Sequence, residues 1–248
     1  MMVSIITPTY NAAQFIEQAY ACILEQTVND WEWLVTDDCS TDETYRLLQD
    51  FAAKDHRIKI QRNPIHSGAA VARNNSLARV TGKYIAFLDA DDIWIPKKLE
   101  TQLTFMGENI NFSFSAYEII NEKGKPLNKF IDLNKNKRCF SYADMLNKKA
   151  TLGCSTVILR RSAFFDLQMP LLYAGQDYAF WLKLLKHGEY AHLVNEAMTK
   201  YRIVRNSLSR NKFMKAKIQL QIYRKIERIG LIETFACFVN YAFRAVFR

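Results

Sequence analysis

The chain has 248 residues, of which 49% are hydrophobic and 13% aromatic, enough for a packed core and too many for a disordered chain. The net charge of +9 suits an anionic partner, and charge alone does not choose among nucleic acid, anionic lipid and phosphorylated substrates. The five cysteines lie far apart without a C-x-x-C pair, which argues against a disulfide framework or a zinc site and indicates a reducing, cytoplasmic compartment.

The first hundred residues alternate short apolar segments with helix-like segments. The predicted strands are residues 3–10, 31–37, 58–62 and 83–92. The predicted helices are residues 12–26, 39–55 and 68–80, the second of them opened by a capping box of Ser40 and Glu43. This alternation predicts an α/β fold with a mainly parallel central sheet, whose ligands bind beyond the carboxyl ends of the strands. The first strand follows so soon that we expect no signal peptide.

The second half of the chain is less regular. Residues 111–120 and 154–162 have the pattern of strands, and residues 176–188 form a predicted helix that ends at Gly188. From about residue 210 the pattern is helical, with no further strand signal. We therefore predict a domain over residues 1–209, made of halves 1–100 and 101–209, and a C-terminal helical extension over residues 210–248.

Carboxylates follow two of the predicted strands. Asp38 follows the second strand, and Asp89, Asp91 and Asp92 lie at the end of the fourth. Acids this close together repel one another unless a cation or solvent compensates, which points to a hard divalent metal such as Mg²⁺ or Mn²⁺ bound with a substrate diphosphate. The alternative is that Asp91 or Asp92 only caps the start of the next helix.

Five segments of the chain together resemble inverting glycosyltransferases of family 2, of the bacterial cell-surface polysaccharide type. They are "VSIITPTYN", "VTDDCSTDET", "ARNNSLARVTGKYIAFLDADDIW", "GQDYAFWLKL" and "YRIVRNSLS". The resemblance implies the GT-A fold, a Rossmann-like nucleotide-sugar-binding architecture, with residues 1–100 as the nucleotide-binding half and residues 101–209 as the acceptor side.

The resemblance also implies the site residues. The donor nucleotide would be bound by Pro8, Thr9, Tyr10, Asp38, Arg73, Asp89 and Ala90, with Asp38 on a uracil base and Arg73 near the diphosphate. Asp91 would ligate Mg²⁺ or Mn²⁺, and Asp177 would be the catalytic base. We interpret His66 as a loop residue rather than a ligand.

Two positions depart from the pattern of the family. Gln176 stands where many relatives carry glutamate, and Val204 stands where many carry a histidine that reaches the metal or phosphate. Phosphate contacts from that segment would then fall to Arg202, Arg205 or Ser207.

The C-terminal segment "IGLIETFACFVNYAFRAVF" is aromatic and follows a basic stretch. Glu233, Asn240 and Arg244 interrupt its apolar run, so we expect it to lie on an anionic membrane surface rather than to cross the membrane. The alternative is docking onto the rest of the chain or onto a partner in a homo-oligomer.

These features predict a metal-dependent inverting hexosyl- or hexosaminyltransferase. It would move a sugar from a nucleotide-diphosphate donor, a UDP-sugar by analogy, to a hydroxyl of a lipid-linked or cell-surface glycan at the inner face of the cell membrane. One alternative is a D-x-D phosphohydrolase with Asp89 as nucleophile. Another is a basic membrane-binding module without catalysis, and no motif supports binding of nucleic acid.

Overall fold

The structure is a computed structural model that describes residues 2–204 and 212–246. Its strands are β1 (Val3–Thr9), β2 (Trp31–Asp37), β3 (Ile58–Arg62), β4 (Tyr84–Phe87), β5 (Ile93–Trp94), β6 (Phe112–Asn121), β7 (Pro126–Ile131), β8 (Cys139–Phe140), β9 (Val157–Arg160) and β10 (Ala191–Ile203). Its helices are α1 (Ala13–Leu24), α2 (Thr44–Lys54), α3 (Ala69–Leu77), α4 (Lys98–Met106), α5 (Tyr142–Leu146), α6 (Gln176–Leu185), α7 (Lys212–Gln221) and α8 (Leu231–Val246). A π-helical turn over Ile222–Ile226 continues α7.

One sheet organises the fold, in the strand order β3-β2-β1-β4-β9-β6-β10-β5, with β7 paired to β6 and β8 paired to β10. Strands β3, β2, β1 and β4 run parallel, whereas β9 lies antiparallel to both β4 and β6. Every residue of β2 and β4 is buried, as expected for parallel strands covered on both faces. The predicted α/β fold with a central sheet is confirmed, and the sheet is mixed, because the parallel strands β3, β2, β1 and β4 continue into antiparallel pairs at β9.

Hydrophobic cores lie on both faces of the sheet. One contains Trp33 and Trp94 with residues of α1, α2 and α4. The other contains Phe87, Phe180 and Trp181, where the Trp181 ring packs edge-on against Phe87 with 5.4 Å between centroids. Both tryptophans that flank the predicted site, Trp94 and Trp181, are therefore core residues.

One local prediction was wrong, and one strand was missed. Helix α2 begins at Thr44 without the capping box, because the Ser40 hydroxyl donates to Asp37 (2.5 Å) and accepts the N–H of Asn11 (2.9 Å). Strand β10 is not signalled by the sequence, since polar residues interrupt its alternation and its pairing with β6 shifts register at Ala197. Helix α6 does fall within the predicted segment, and the Gly188 N–H donates to Leu185 O (3.3 Å) just beyond its end.

The C-terminal helices pack against the rest of the fold. Gly175, which precedes α6, has φ of +73°, and a Cβ there would lie 3.1 Å from side-chain carbons of both Ile218 and Ile222. The Tyr223 hydroxyl donates to Leu146 O (2.6 Å), and Tyr223 belongs to the core that contains Phe87. The predicted helical extension is confirmed, whereas its boundary near residue 209 lies outside the described residues.

Helix α8 has two different faces. Cys237 is buried in the core, while Leu231, Ile232, Phe235, Val239 and Phe243 expose large apolar side chains, 89% of Ile232 and 73% of Phe235 being accessible. Within residues 2–204 and 212–246, none of the helices has both the length and the hydropathy of a membrane span.

The side-chain amine of Lys98 is fully buried. Its nitrogen contacts Gln102 Oε1 and Thr156 O (3.5 Å) and lies 4.8 Å from the centroid of the Trp94 ring. Burial lowers the pKa of Lys98 from its ordinary 10.5 to about 7. Between these two values the unfolded chain binds more protons than the native protein, so the free energy of unfolding increases with pH across that window.

We expect the Lys98→Met variant to lack this pH-dependent contribution to the free energy of unfolding. The wild-type protein should gain about 2 kcal/mol of unfolding free energy from Lys98 between pH 7 and pH 9, because each pKa unit corresponds to about 1.4 kcal/mol. Urea denaturation at both pH values measures the difference, with Lys97→Met, an exposed neighbour, as the control. Equal pH dependence in wild type and Lys98→Met would contradict a neutral buried amine.

Candidate active site

The predicted site residues lie at one edge of the sheet. Strands β2, β1 and β4 are parallel neighbours, and Thr9 pairs with Asp37 at the ends of β1 and β2. Tyr10, Asp38 and Asp89 therefore follow three adjacent strand ends. Parallel sheets bind ligands at this edge because the loops and the helix N-termini converge there.

Two adjoining cavities collect these residues. One, of about 470 Å³, is lined by Ala90 and Asp91, and the other, of about 1190 Å³, by Thr9, Asp38 and Asp177. Both cavities share the lining residues Pro8, Tyr10, Arg73 and Asp89. The structure thus brings together all nine predicted residues, although their roles stay predictions.

Asp38 is a buried carboxylate surrounded by N–H donors. Its Oδ1 accepts from Asn63 Nδ2 (2.7 Å) and the Ser67 N–H (3.0 Å), and its Oδ2 accepts from the Gly68 N–H (2.6 Å). Gly68 has φ of +92°, a conformation that glycine adopts without strain at the start of α3. The loop before α3 therefore holds this carboxylate in one orientation.

Tyr10 and His66 form a stacked pair next to Asp38. Their ring centroids are 4.0 Å apart with an interplanar angle of 29°, and His66 Nδ1 lies 2.8 Å from Asp38 Oδ2. Tyr10 remains 45% accessible. His66 is a loop residue, as interpreted from sequence, but it also lines the larger cavity.

Arg73 is a buried cation between the two cavities. Its Nη2 contacts Asp89 Oδ1, while Nε and Nη1 are buried with no hydrogen-bond partner among the described residues. Burial opposes its charge, but neighbouring charges led by Asp89 raise the pKa of Arg73 above its ordinary value. A permanently charged fork with unpaired donors suits an anionic ligand.

The three acids after β4 have different surroundings. Asp89 pairs with Arg73, and its N–H donates to Ser155 Oγ (3.0 Å). Asp92 is buried, where it accepts from Ser155 Oγ (2.5 Å) and from the N–H of Arg202 (2.9 Å). Neither Asp91 nor Asp92 caps a helix, because α4 begins only at Lys98, so the capping alternative is wrong.

Asp91 also lines the smaller cavity. Unlike Asp89 and Asp92, it has neither Arg73 nor Ser155 as a partner. Burial and the charge of Asp89 raise the pKa of Asp91 to about 6, and burial followed by Asp91 and Asp89 raises the pKa of Asp92 well above its usual range. In residues 2–204 and 212–246, no group of three metal-ligating side chains forms a ready-made cage. A cation at Asp91 would take its other ligands from substrate and water, a set that Mg²⁺ and Mn²⁺ accept.

Asp177 lies in the first turn of α6, facing the larger cavity. Its Oδ1 accepts the N–H of Tyr178 (2.8 Å). Burial raises the pKa of Asp177, with Asp89 adding to the shift and Arg73 opposing it. The neighbouring Gln176 also lines this cavity, and its buried Oε1 has no partner among the described residues.

Arg202 does not face the cavities. Its guanidinium donates to Asp91 O (2.7 Å), Gln18 Oε1 (2.7 Å) and Glu122 O (2.9 Å). The donors that were expected to contact phosphate are therefore already hydrogen-bonded within the protein. Val204 lines the smaller cavity, and Arg205 and Ser207 lie outside the described residues.

Several site residues escaped sequence reasoning. Ser155 holds both Asp89 and Asp92 although it follows them by more than sixty residues, and Asn63 and Ser67 orient Asp38. Only Gly68, a glycine before a predicted helix, carried a local signal. The remaining contacts depend on packing between distant segments.

Comparison with known proteins identifies the family. The model of Glycosyl transferase family 2 matches residues 4–167. The chain is 44% identical over 246 residues to the putative teichuronic acid biosynthesis glycosyltransferase TuaG of Bacillus subtilis, covering 99% of this chain and 96% of that protein. It is 39% identical over 223 residues to the Escherichia coli UDP-Glc:alpha-D-GlcNAc-diphosphoundecaprenol beta-1,3-glucosyltransferase WfgD, covering 89% and 85%.

The fold comparison agrees with the sequence comparison. The crystal structure of residues 1–349 of S. aureus TarS in complex with UDP matches with a TM-score of 0.72 at 20% identity, covering 95% of this chain and 68% of that fragment. The predicted GT-A fold is confirmed, and the phosphohydrolase and non-catalytic alternatives are left without support. On the family match and these nearly full-length similarities, this chain belongs to glycosyltransferase family 2, and it is a glycosyltransferase.

Proposed function

We propose that this enzyme transfers a hexosyl or hexosaminyl residue from a UDP-sugar to a hydroxyl of a lipid-linked glycan, with inversion at the anomeric carbon. The observation that carries the donor assignment is Arg73, a buried cation with two donor nitrogens, Nε and Nη1, that have no partner among the described residues and lie beside the acids that follow β4. An anionic diphosphate there would satisfy those donors, which otherwise cost free energy in a buried setting.

Asp38 and Tyr10 would recognise the base. A carboxylate can accept the N3–H of uracil, and a tyrosine ring can stack on the base. WfgD is named for UDP-Glc, and TarS was crystallised with UDP, which supports a uridine donor here. Cytosine and adenine present a ring acceptor instead of an N–H at the corresponding ring position, which would set a lone pair against the Asp38 carboxylate.

Asp91 would hold the divalent cation together with the donor diphosphate. When bound, Mg²⁺ or Mn²⁺ supplies electrostatic stabilisation of the departing diphosphate. The raised pKa of Asp91 reflects burial and repulsion from Asp89, and a cation at this carboxylate would relieve that repulsion. Arg73 would add a positive charge beside the same diphosphate.

The first test is calorimetric titration of UDP with and without Mn²⁺. We expect wild type to bind UDP at least about tenfold more tightly with Mn²⁺, as for a shared metal–diphosphate site, and Asp91→Asn to lose most of that difference. Asp50→Asn, on the exposed surface of α2, should behave as wild type. If UDP binding is absent or indifferent to the metal, the donor proposal fails.

Asp177 would act as the general base. Its carboxylate takes the proton of the acceptor hydroxyl while that oxygen bonds to the anomeric carbon and the bond from this carbon to the UDP oxygen breaks. A raised pKa makes Asp177 a stronger proton acceptor than an ordinary aspartate once it is ionised. Gln176, with its unpaired buried oxygen, is suited to accept a hydrogen bond from a second acceptor hydroxyl.

Replacing Asp177 separates binding from chemistry. We expect Asp177→Asn to lower the rate of transfer by about 10²- to 10⁴-fold while leaving the dissociation constant of UDP within about twofold. The wild-type rate should fall on the acid side as Asp177 becomes protonated. Radiolabelled sugar transfer and calorimetry provide the two measurements, and Asp166→Asn, an exposed acid paired with Lys183, is the control. Undiminished transfer by Asp177→Asn would reject the assignment.

Three lysines form a positively charged wall of the larger cavity, on the side where the acceptor would bind. Lys129 belongs to β7, Lys148 follows α5, and Lys215 belongs to α7. Tyr241 of α8 lines the same cavity. An acceptor sugar carried on a diphosphate would meet these cations, and WfgD is named for a diphosphoundecaprenol acceptor. This wall supports a lipid-linked acceptor for the present enzyme.

The outer face of α8 would rest on the membrane that holds such an acceptor. Its exposed apolar side chains follow helical spacing, and the exposed cations Arg224, Lys225 and Arg228 precede the helix. This combination is typical of helices that lie in an anionic bilayer surface. Since Tyr241 reaches the cavity, α8 would separate the bilayer from the active site by about one helix diameter, roughly 10 Å.

Vesicle binding tests the membrane surface. We expect the Phe235→Ser/Val239→Ser double variant to bind phosphatidylglycerol vesicles at least about tenfold more weakly than wild type, because it removes two apolar groups that would enter the lipid. Sedimentation with the vesicles measures the bound fraction. Phe165→Ser removes a fully exposed phenylalanine away from α8 and should have no effect. Equal sedimentation of the double variant and wild type would reject this orientation.

A further inference from the structure

His66 makes the two contacts that a nucleobase would make at this site. Its ring stacks on Tyr10 with 4.0 Å between centroids, and its Nδ1 lies 2.8 Å from Asp38 Oδ2. The same nitrogen lies 3.3 Å from Asp38 O. An aromatic ring with a ring nitrogen turned toward a carboxylate is the arrangement proposed above for uracil on Tyr10 and Asp38.

The geometry does not allow both rings to use these partners in this way. A centroid separation of 4.0 Å is contact distance for stacked rings, so no base fits between Tyr10 and His66. Oδ1 of Asp38 already accepts from Asn63 and Ser67, and Oδ2 already accepts from Gly68. A base that takes the position of His66 finds the stacking face and the carboxylate oxygen that His66 releases.

His66 is also able to leave. Its side chain is 55% accessible, and it extends from a short loop between β3 and α3 rather than from a strand or helix. The carboxylate of Asp38 keeps its three backbone and amide partners when His66 moves away. Departure therefore costs one stacking contact and the contacts of His66 Nδ1 with Asp38, without disturbing the orientation of the carboxylate.

We propose that His66 occupies the nucleobase subsite in the free enzyme and is displaced by the base of the donor. This inference rests on the proposed function, because it assumes that Tyr10 and Asp38 bind the base. His66 then raises the apparent dissociation constant of every nucleotide that uses the subsite, by a factor equal to the reciprocal of the fraction of molecules in which the histidine has already left. Its return competes with the base of the product UDP and favours release.

Calorimetry of three ligands on matched variants tests the displacement. We expect His66→Ala to bind UDP and uridine about five- to tenfold more tightly than wild type, because the internal competitor is gone. Pyrophosphate with Mn²⁺ has no base, so its affinity should not change. His66→Phe keeps a ring that can stack on Tyr10 but has no N–H for Asp38. Its UDP affinity should lie between those of wild type and His66→Ala. His56→Ala, an exposed histidine outside the cavities, is the control.

A measurement on the wild-type protein itself tests the displacement without depending on the loop conformation of the variants. In wild type, the carbon-bound ring protons of His66 should show an upfield ring-current shift from Tyr10, and UDP should abolish that shift. Unchanged or weaker UDP binding by His66→Ala, or a ring-current shift that persists with UDP, would overturn the proposal while leaving the transferase assignment intact. Failure of both wild type and His66→Ala to bind UDP would instead remove the proposed function, and this inference with it.

Discussion

The buried carboxylate of Asp92 is the constraint on which the active-site geometry depends. It joins the turn after β4 to Ser155 before β9 and to the backbone of Arg202 in β10, segments that are 63 and 110 residues away along the chain. Arg202 in turn donates to Asp91 O, so the turn is held from two sides. A buried acid is costly unless hydrogen bonds compensate it, which explains why its neighbours are arranged around it.

With Asp92 committed to this role, the other acids differ through their surroundings. Asp89 is neutralised by Arg73, and Asp91 is left facing the smaller cavity with a raised pKa. Asp177 enters the larger cavity from α6, on the other side of Arg73. Chemically identical side chains thereby acquire different environments, and the metal-binding role proposed for Asp91 and the proton-accepting role proposed for Asp177 depend on that difference.

The C-terminal helices complete the site instead of merely following it. Gly175 permits the close approach of Ile218 and Ile222 next to the start of α6, and Lys215 and Tyr241 line the larger cavity. The same helices present apolar side chains to the outside. From the sequence, docking onto the protein and contact with the membrane were alternatives for α8. An amphipathic helix has one face for each, so the packing of its inner face leaves its outer face available.

The sequence by itself determined the features that arise from local periodicity and from strand ends. Alternating apolar segments predicted the parallel strands, and residues directly after those strands, Tyr10, Asp38 and Asp89, were predicted to converge because parallel strands end at one edge. Only the tertiary structure decided that His66 lies on Tyr10, that Ser155 holds Asp92, that Arg202 turns away from the cavity and that Ser40 does not cap α2. Each of these depends on which distant group satisfies a polar side chain once water is excluded, and such partners have no signature in the spacing of residues along the chain.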